Sequence, residues 1–68
     1  MDLIEVLAGL PGAKYVAIGD TGVEIALYPG VPFDTRRIAK IITALTNKKV
    51  KLEQVYANKE EVVISYVF

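Results

Sequence analysis

Residues 62–68 read Val-Val-Ile-Ser-Tyr-Val-Phe, and this stretch constrains the fold more than any other. Strand alternation puts Val62, Ile64, Tyr66 and Phe68 on one face and Val63 and Val67 on the other, so a strand here is apolar on both sides. That is the pattern of an interior strand covered twice. Two helices, one on each face of a sheet, would satisfy it. The requirement is demanding for 68 residues, because a short chain buries a smaller fraction of its surface than a longer one.

Domains of this size usually supplement a core worth roughly 3 to 5 kcal/mol with disulfides, a structural metal or association. The sequence has no Cys and no His, which removes disulfides and the commonest zinc ligands together. Association is what remains. At 53% hydrophobic residues the chain also has a small apolar surplus, consistent with a core shared between copies.

The rest of the sequence supplies the partners of that strand. Asp2 is placed to cap a helix whose apolar positions Leu3, Ile4, Val6, Leu7 and Leu10 follow helical spacing, with Pro11-Gly12 as its stop. Lys14 to Gly19 reads as a strand, and Val23 to Tyr28 as its hairpin partner, with Ile25 and Leu27 alternating against Glu24 and Ala26. Between them Asp20-Thr21-Gly22 supplies turn chemistry, with Asp20 bonding nearby backbone amides and Gly22 taking a positive φ. Pro29-Gly30-Val31-Pro32 interrupts the sheet. Asp34 then caps a second helix with an apolar stripe of Ile38, Ile41, Ile42 and Leu45, and Lys48 and Lys49 suit its C-terminal dipole. Val50 to Tyr56 reads as an edge strand, since Lys51 and Glu53 alternate with Val50 and Leu52, and Asn58-Lys59 turns it into the final strand.

The expected fold class is therefore α+β, one domain over residues 1–68, in the order α-β-β-α-β-β. It has a four-stranded antiparallel sheet and one helix on each face.

Formal net charge is zero, but its distribution is uneven. Residues 34–51 hold Arg36, Arg37, Lys40, Lys48, Lys49 and Lys51 against Asp34 alone, whereas residues 1–33 hold Asp2, Glu5, Asp20 and Glu24 against Lys14. The basic segment is a candidate patch for an anionic partner, nucleic acid or an acidic protein. A solvated helix face explains it as well. A sequence pI near 6.1 and the lack of a DNA- or RNA-reading motif place nucleic acid second to protein.

Catalysis is not expected. General acid–base work most often uses His, nucleophilic work often uses Cys, and the single serine, Ser65, reads as an ordinary strand residue. The glycines form no phosphate-binding loop, and Asp2, Glu5, Asp20, Glu24, Glu60 and Glu61 have no cation-loop spacing, so neither cofactor nor metal is expected. The four tyrosines, Tyr15, Tyr28, Tyr56 and Tyr66, all fall in strands, where packing favours aromatics. They would form a base-stacking platform only if exposed together on one sheet face beside the basic groups. With no secretory leader and no apolar run of about 20 residues, the expected location is the cytoplasm, away from membranes. Few Asn and Gln beside many Val, Ile and Lys would suit a thermophilic source.

The segment LIEVLAGLPGAKYVAIGDTGVEIA resembles the opening of roadblock and dynein light chain-type domains, through Leu7, Leu10, Pro11, Gly12, Asp20 and Gly22. The resemblance implies a minimal version of that profilin-like fold, without the fifth strand and closing helix, and a strand order of 2-1-4-3. It also implies a homodimer formed by the second helix and a neighbouring sheet edge, here Arg36, Lys40, Thr43, Ala44 and Asn47 beside Lys51 and Glu53. Such domains serve as scaffolds or regulators, so the resemblance points to a partner protein, a small GTPase or a subunit of a larger complex.

Overall fold

Residues 2–68 are described by a computed structural model. The first helix, α1 (Leu3–Ala8), starts where the Asp2 carboxylate accepts from the Ile4 amide at 3.1 Å. It ends two residues before its apolar pattern does, with Gly9 as its cap, which leaves Leu10 and Pro11 to form a corner. Gly12 turns that corner with a φ of 77°, and its carbonyl accepts from the Tyr28 amide at 2.9 Å. The hairpin β1 (Ala13–Ile18) and β2 (Gly22–Leu27) follows, then α2 (Thr35–Thr46), and then the hairpin β3 (Lys51–Ala57) and β4 (Val62–Val67). The element order is the expected one, and each strand boundary lies within a residue of its sequence position.

Asp34 sets the start of α2 by accepting from the amides of Arg36 at 2.9 Å and Arg37 at 3.2 Å. These would otherwise be two of the unsatisfied donors at the helix start. Asp34→Ala is expected to cost about 1 kcal/mol. A denaturant titration followed by circular dichroism would show this as a lower midpoint at unchanged slope.

All four strands are antiparallel, in the order β1-β2-β4-β3. This corrects the expected 2-1-4-3. The two hairpins meet through β2 and β4, with Ile25 opposite Ile64 and Val23 opposite Tyr66, so β1 and β3 are the edges. Ladder partners project to the same face. Val16, Ile25, Ile64 and Val55 therefore share one face, and Tyr15, Ala26, Val63 and Tyr56 share the other.

The helices do not divide between those faces. Leu3 and Leu7 of α1 and Ile38 and Ile42 of α2 are buried in a single cluster with Val23, Ile25, Leu27, Ile64 and Tyr66. Among the described residues both helices lie on one side of the sheet and the other side carries none. This corrects the expectation of one helix per face. The second apolar row of β4, Val63 and Val67, is half-buried without a helix above it.

The helix layer is also narrower than the sheet. Four strands spaced about 4.8 Å apart make a sheet roughly 19 Å wide, and α1 is a helix of only 6 residues. All seven residues of β3 are exposed, including Leu52 and Val55 on the helix side, 41% and 45% accessible.

Tyr66 ties the sheet to α2, its buried hydroxyl donating to the Thr35 carbonyl at 2.7 Å. Burial, and then the nearby Asp34 carboxylate, push its pKa from 10.0 up to about 12. The folded state therefore favours neutral Tyr66. Its contribution to stability is complete below pH 10 and is lost as pH rises through about 12. Tyr66→Phe is expected to lower stability by about 1 kcal/mol at neutral pH. It should also flatten the fall in thermal midpoint above pH 10, as thermal melts across that range would record.

Candidate interaction surfaces

Every residue expected to form a functional surface on α2 is exposed: Arg36, Arg37, Lys40, Thr43 and Ala44 along the helix, and Asn47 at its end. Asn47 has a structural task as well. It takes a left-handed φ of 57° and donates its amide to the Thr43 carbonyl at 2.9 Å, closing the helix. Lys48 and Lys49 follow, exposed, with the Lys48 ammonium 4.5 Å from the centre of the Phe68 ring.

The sheet divides this expected group. Lys51 pairs with Val67 in the ladder and so belongs to the helix-free face, opposite α2. Glu53 is the extra residue of a bulge between Leu52 and Gln54, and it lines a hollow on that same face. The helical residues and the two strand residues therefore look out of opposite sides of the molecule. The basic residues divide likewise, with Arg36, Arg37 and Lys40 on the helix layer and Lys51 beyond the sheet.

The helix-free face has the more definite relief. Across its upper half run Tyr15, Ala26, Val63 and Tyr56, with Tyr28 one step further along β2. Tyr15, Tyr28 and Tyr56 are 40%, 52% and 53% accessible, and together they form a raised aromatic ridge. A bulge between Ala13 and Tyr15 brings Lys14 to the same end, where its ammonium meets the Glu61 carboxylate at 2.9 Å and lies 5.9 Å from the centre of the Tyr28 ring. The hydrogen bond from Lys14 to Glu61 is the main cause that raises the lysine pKa. Tyr15 donates to Glu24 at 3.1 Å, which is the main cause of its raised pKa.

The lower half of this face is built from small residues. Ala17, Gly22, Ser65 and Val67, with Glu24 and Glu53, line an open hollow of about 430 Å³. A second depression, about 490 Å³, lies on the helix side between Leu10, Val31, Phe33, Ile38 and Ile41. Its lining is apolar apart from Asp34, already used as the α2 cap, and Arg37.

The sequence pattern places all four tyrosines in strands, whereas Tyr28 lies one residue past the end of β2, and the pattern does not show the ridge. Tyr15, Tyr28 and Tyr56 share a face with Val63 and Val67 only through the register of three ladders and two bulges. The alternation of each strand read alone does not reveal that.

Among the described residues no helix is long and apolar enough to cross a membrane, and no group of three or more Asp or Glu is placed to hold a metal ion. The chain matches no protein-family model, no curated protein and no solved structure.

Proposed function

We propose that the chain is a non-enzymatic protein-binding module that works as a homodimer or higher homo-oligomer, serving as a scaffold subunit within a larger protein assembly. The observation that carries this reading is the sheet left bare by the helix layer. One whole face offers Tyr15, Tyr28 and Tyr56 to solvent, and the edge strand β3 adds Leu52 and Val55 on the other. Aromatic groups are enriched at protein interfaces, and three exposed tyrosines share this one face.

A small GTPase as the partner follows from the roadblock resemblance alone, and this sheet lacks the strand order that the resemblance implies.

Co-expression of two differently tagged copies tests the proposal. Tandem purification on both tags is expected to retain both copies, together with a further protein in fixed proportion when done in the source cells. Recovery of one copy by itself would contradict the reading.

The second reading is a nucleic-acid-associated protein using Arg36, Arg37, Lys40, Lys48 and Lys49, all exposed. Three tyrosines do lie together on one open face, as base stacking would require. They lie, however, on the side of the sheet away from α2, beside Glu24 and Glu61. A salt-dependent gel shift abolished by Arg36→Glu with Arg37→Glu would establish that reading. Equal binding by parent and variant would dismiss it.

A further inference from the structure

We infer that the helix-free sheet face is the surface on which two copies of this chain dimerise, the aromatic ridge of each copy seated in the hollow of the other. This rests on the proposal of self-association and adds the surface, the orientation and the residues that decide it.

The relief of the face selects the orientation. Large side chains, Tyr15, Tyr28 and Tyr56, stand at the end where β2 finishes and β4 begins, while Ala17, Gly22 and Ser65 floor the hollow at the other end. Two such faces can meet about a two-fold axis along the strands or about one across them. The first sets ridge on ridge and leaves both hollows empty. The second keeps each strand over its own copy but reverses its direction, so each ridge enters the facing hollow. Empty space between packed layers forfeits dispersion contacts, which favours the second arrangement.

Charge favours it as well. At the ridge end Lys14 stands on the β1 side and Glu60 and Glu61 stand before β4, while at the hollow end Asp20 follows β1 and Lys51 opens β3. Reversing the strands sets the Lys14–Glu61 ion pair over the hollow end of the second copy, its lysine on the side of that copy's Asp20 and its glutamate on the side of that copy's Lys51, and a two-fold axis repeats the arrangement.

The area suffices. A tyrosine buries about 200 Å² when fully covered, so three rings at the observed exposures would bury about 300 Å² per copy. That is more than a third of the roughly 800 Å² per partner in a standard interface. Ala17, Val63, Val67, Gln54 and Lys51 share the same face and contribute further.

The test reads molecular mass by sedimentation for the parent chain and three variants, with circular dichroism to verify folding. Ala17→Arg fills the hollow from an exposed position on an edge strand, and Tyr28→Glu places a carboxylate on the ridge opposite the hollow's Glu24 and Glu53. Each is expected to halve the mass at concentrations where the parent is dimeric. The control, Arg36→Glu with Lys40→Glu on the outer side of α2, is expected to keep the parent mass. Hydroxyl-radical footprinting needs no variant: labelling of Tyr15, Tyr28 and Tyr56 should fall severalfold between dilute and concentrated parent, while exposed Phe33 on the helix side keeps its labelling. A parent dimer that survives both sheet variants, or whose tyrosines label equally at both concentrations, overturns the inference and leaves self-association standing. A parent that is monomeric throughout removes both.

Discussion

Ile64→Ala is expected to bring this domain to the edge of unfolding. Ile64 is fully buried on the interior strand β4, between Ile25 of β2 and Val55 of β3, in the cluster that also receives both helices. Removing three carbons there loses their transfer energy and leaves a cavity in a region joined to every layer, at a cost of about 3 to 4 kcal/mol. A core of this size supplies roughly 3 to 5 kcal/mol, so little remains for the isolated protomer. Urea titration of dilute protein, followed by far-ultraviolet circular dichroism, should show a transition that begins without added denaturant. A loss below about 1 kcal/mol would mean that Ile64 does not sit at the centre of the core.

The second large effect is expected at Gly22, and its origin is contact with backbone. A Cβ at this position would lie 2.1 Å from the Tyr66 carbonyl oxygen and 3.3 Å from the Val67 Cα. Both atoms belong to β4, the partner strand in the middle of the sheet, and neither can rotate away. Gly22→Ala must therefore push β2 and β4 apart or distort the start of their ladder, costing about 3 kcal/mol. For a domain of this length that lowers the thermal midpoint by roughly 15 °C. Gly19→Ala is the matched control, since a Cβ there meets nothing within 4 Å. The first variant is expected to melt far below the second; equal midpoints would show that the strands can absorb the added methyl.

Gly22 also shows how far the sequence could be read. Glycine after Asp20-Thr21 suggests a left-handed turn residue, yet the positive φ values fall at Gly12, Gly30 and Asn47, and Gly22 begins β2. The hairpin closes instead through the Gly19 amide donating to the Gly22 carbonyl at 2.9 Å. Asp20 is exposed and makes no side-chain hydrogen bond among the described residues. The comparable task falls to Asn58, which accepts from the amides of Glu60 and Glu61 at 2.7 and 2.9 Å. Turn composition gives the place of a reversal more readily than the atoms that hold it.

Local pattern was sufficient for the elements themselves. Asp2 and Asp34 cap the helices, Ile38 and Ile42 face the core, β3 is an edge strand and β4 an interior one. The strand order was not legible because a hairpin specifies pairing within itself and says little about which of its strands faces the other hairpin. Here β2 carries Ala26 and Leu27 buried on opposite faces, a sign of an interior strand that Glu24 obscures.

The bare face was hidden for a related reason. Val63 and Val67 beside Ile64 and Tyr66 look like a strand covered by protein on both sides. In the single chain their partial burial has no helix as its source, since Val63 stands in one row with Tyr15, Ala26 and Tyr56. A strand apolar on two faces and a sheet covered on one are reconciled if the missing layer belongs to a second copy. The residues expected to share one surface with α2 are divided between two faces, because the bulge at Glu53 and the register of Lys51 turn those two side chains away from the helix.

Sedimentation equilibrium of the unmodified chain, from micromolar to millimolar loading, tests this account most directly. It predicts a reversible rise from the 7.5 kDa protomer to twice that mass, complete well below the millimolar end. A folded species that stays at 7.5 kDa over the whole range would contradict it.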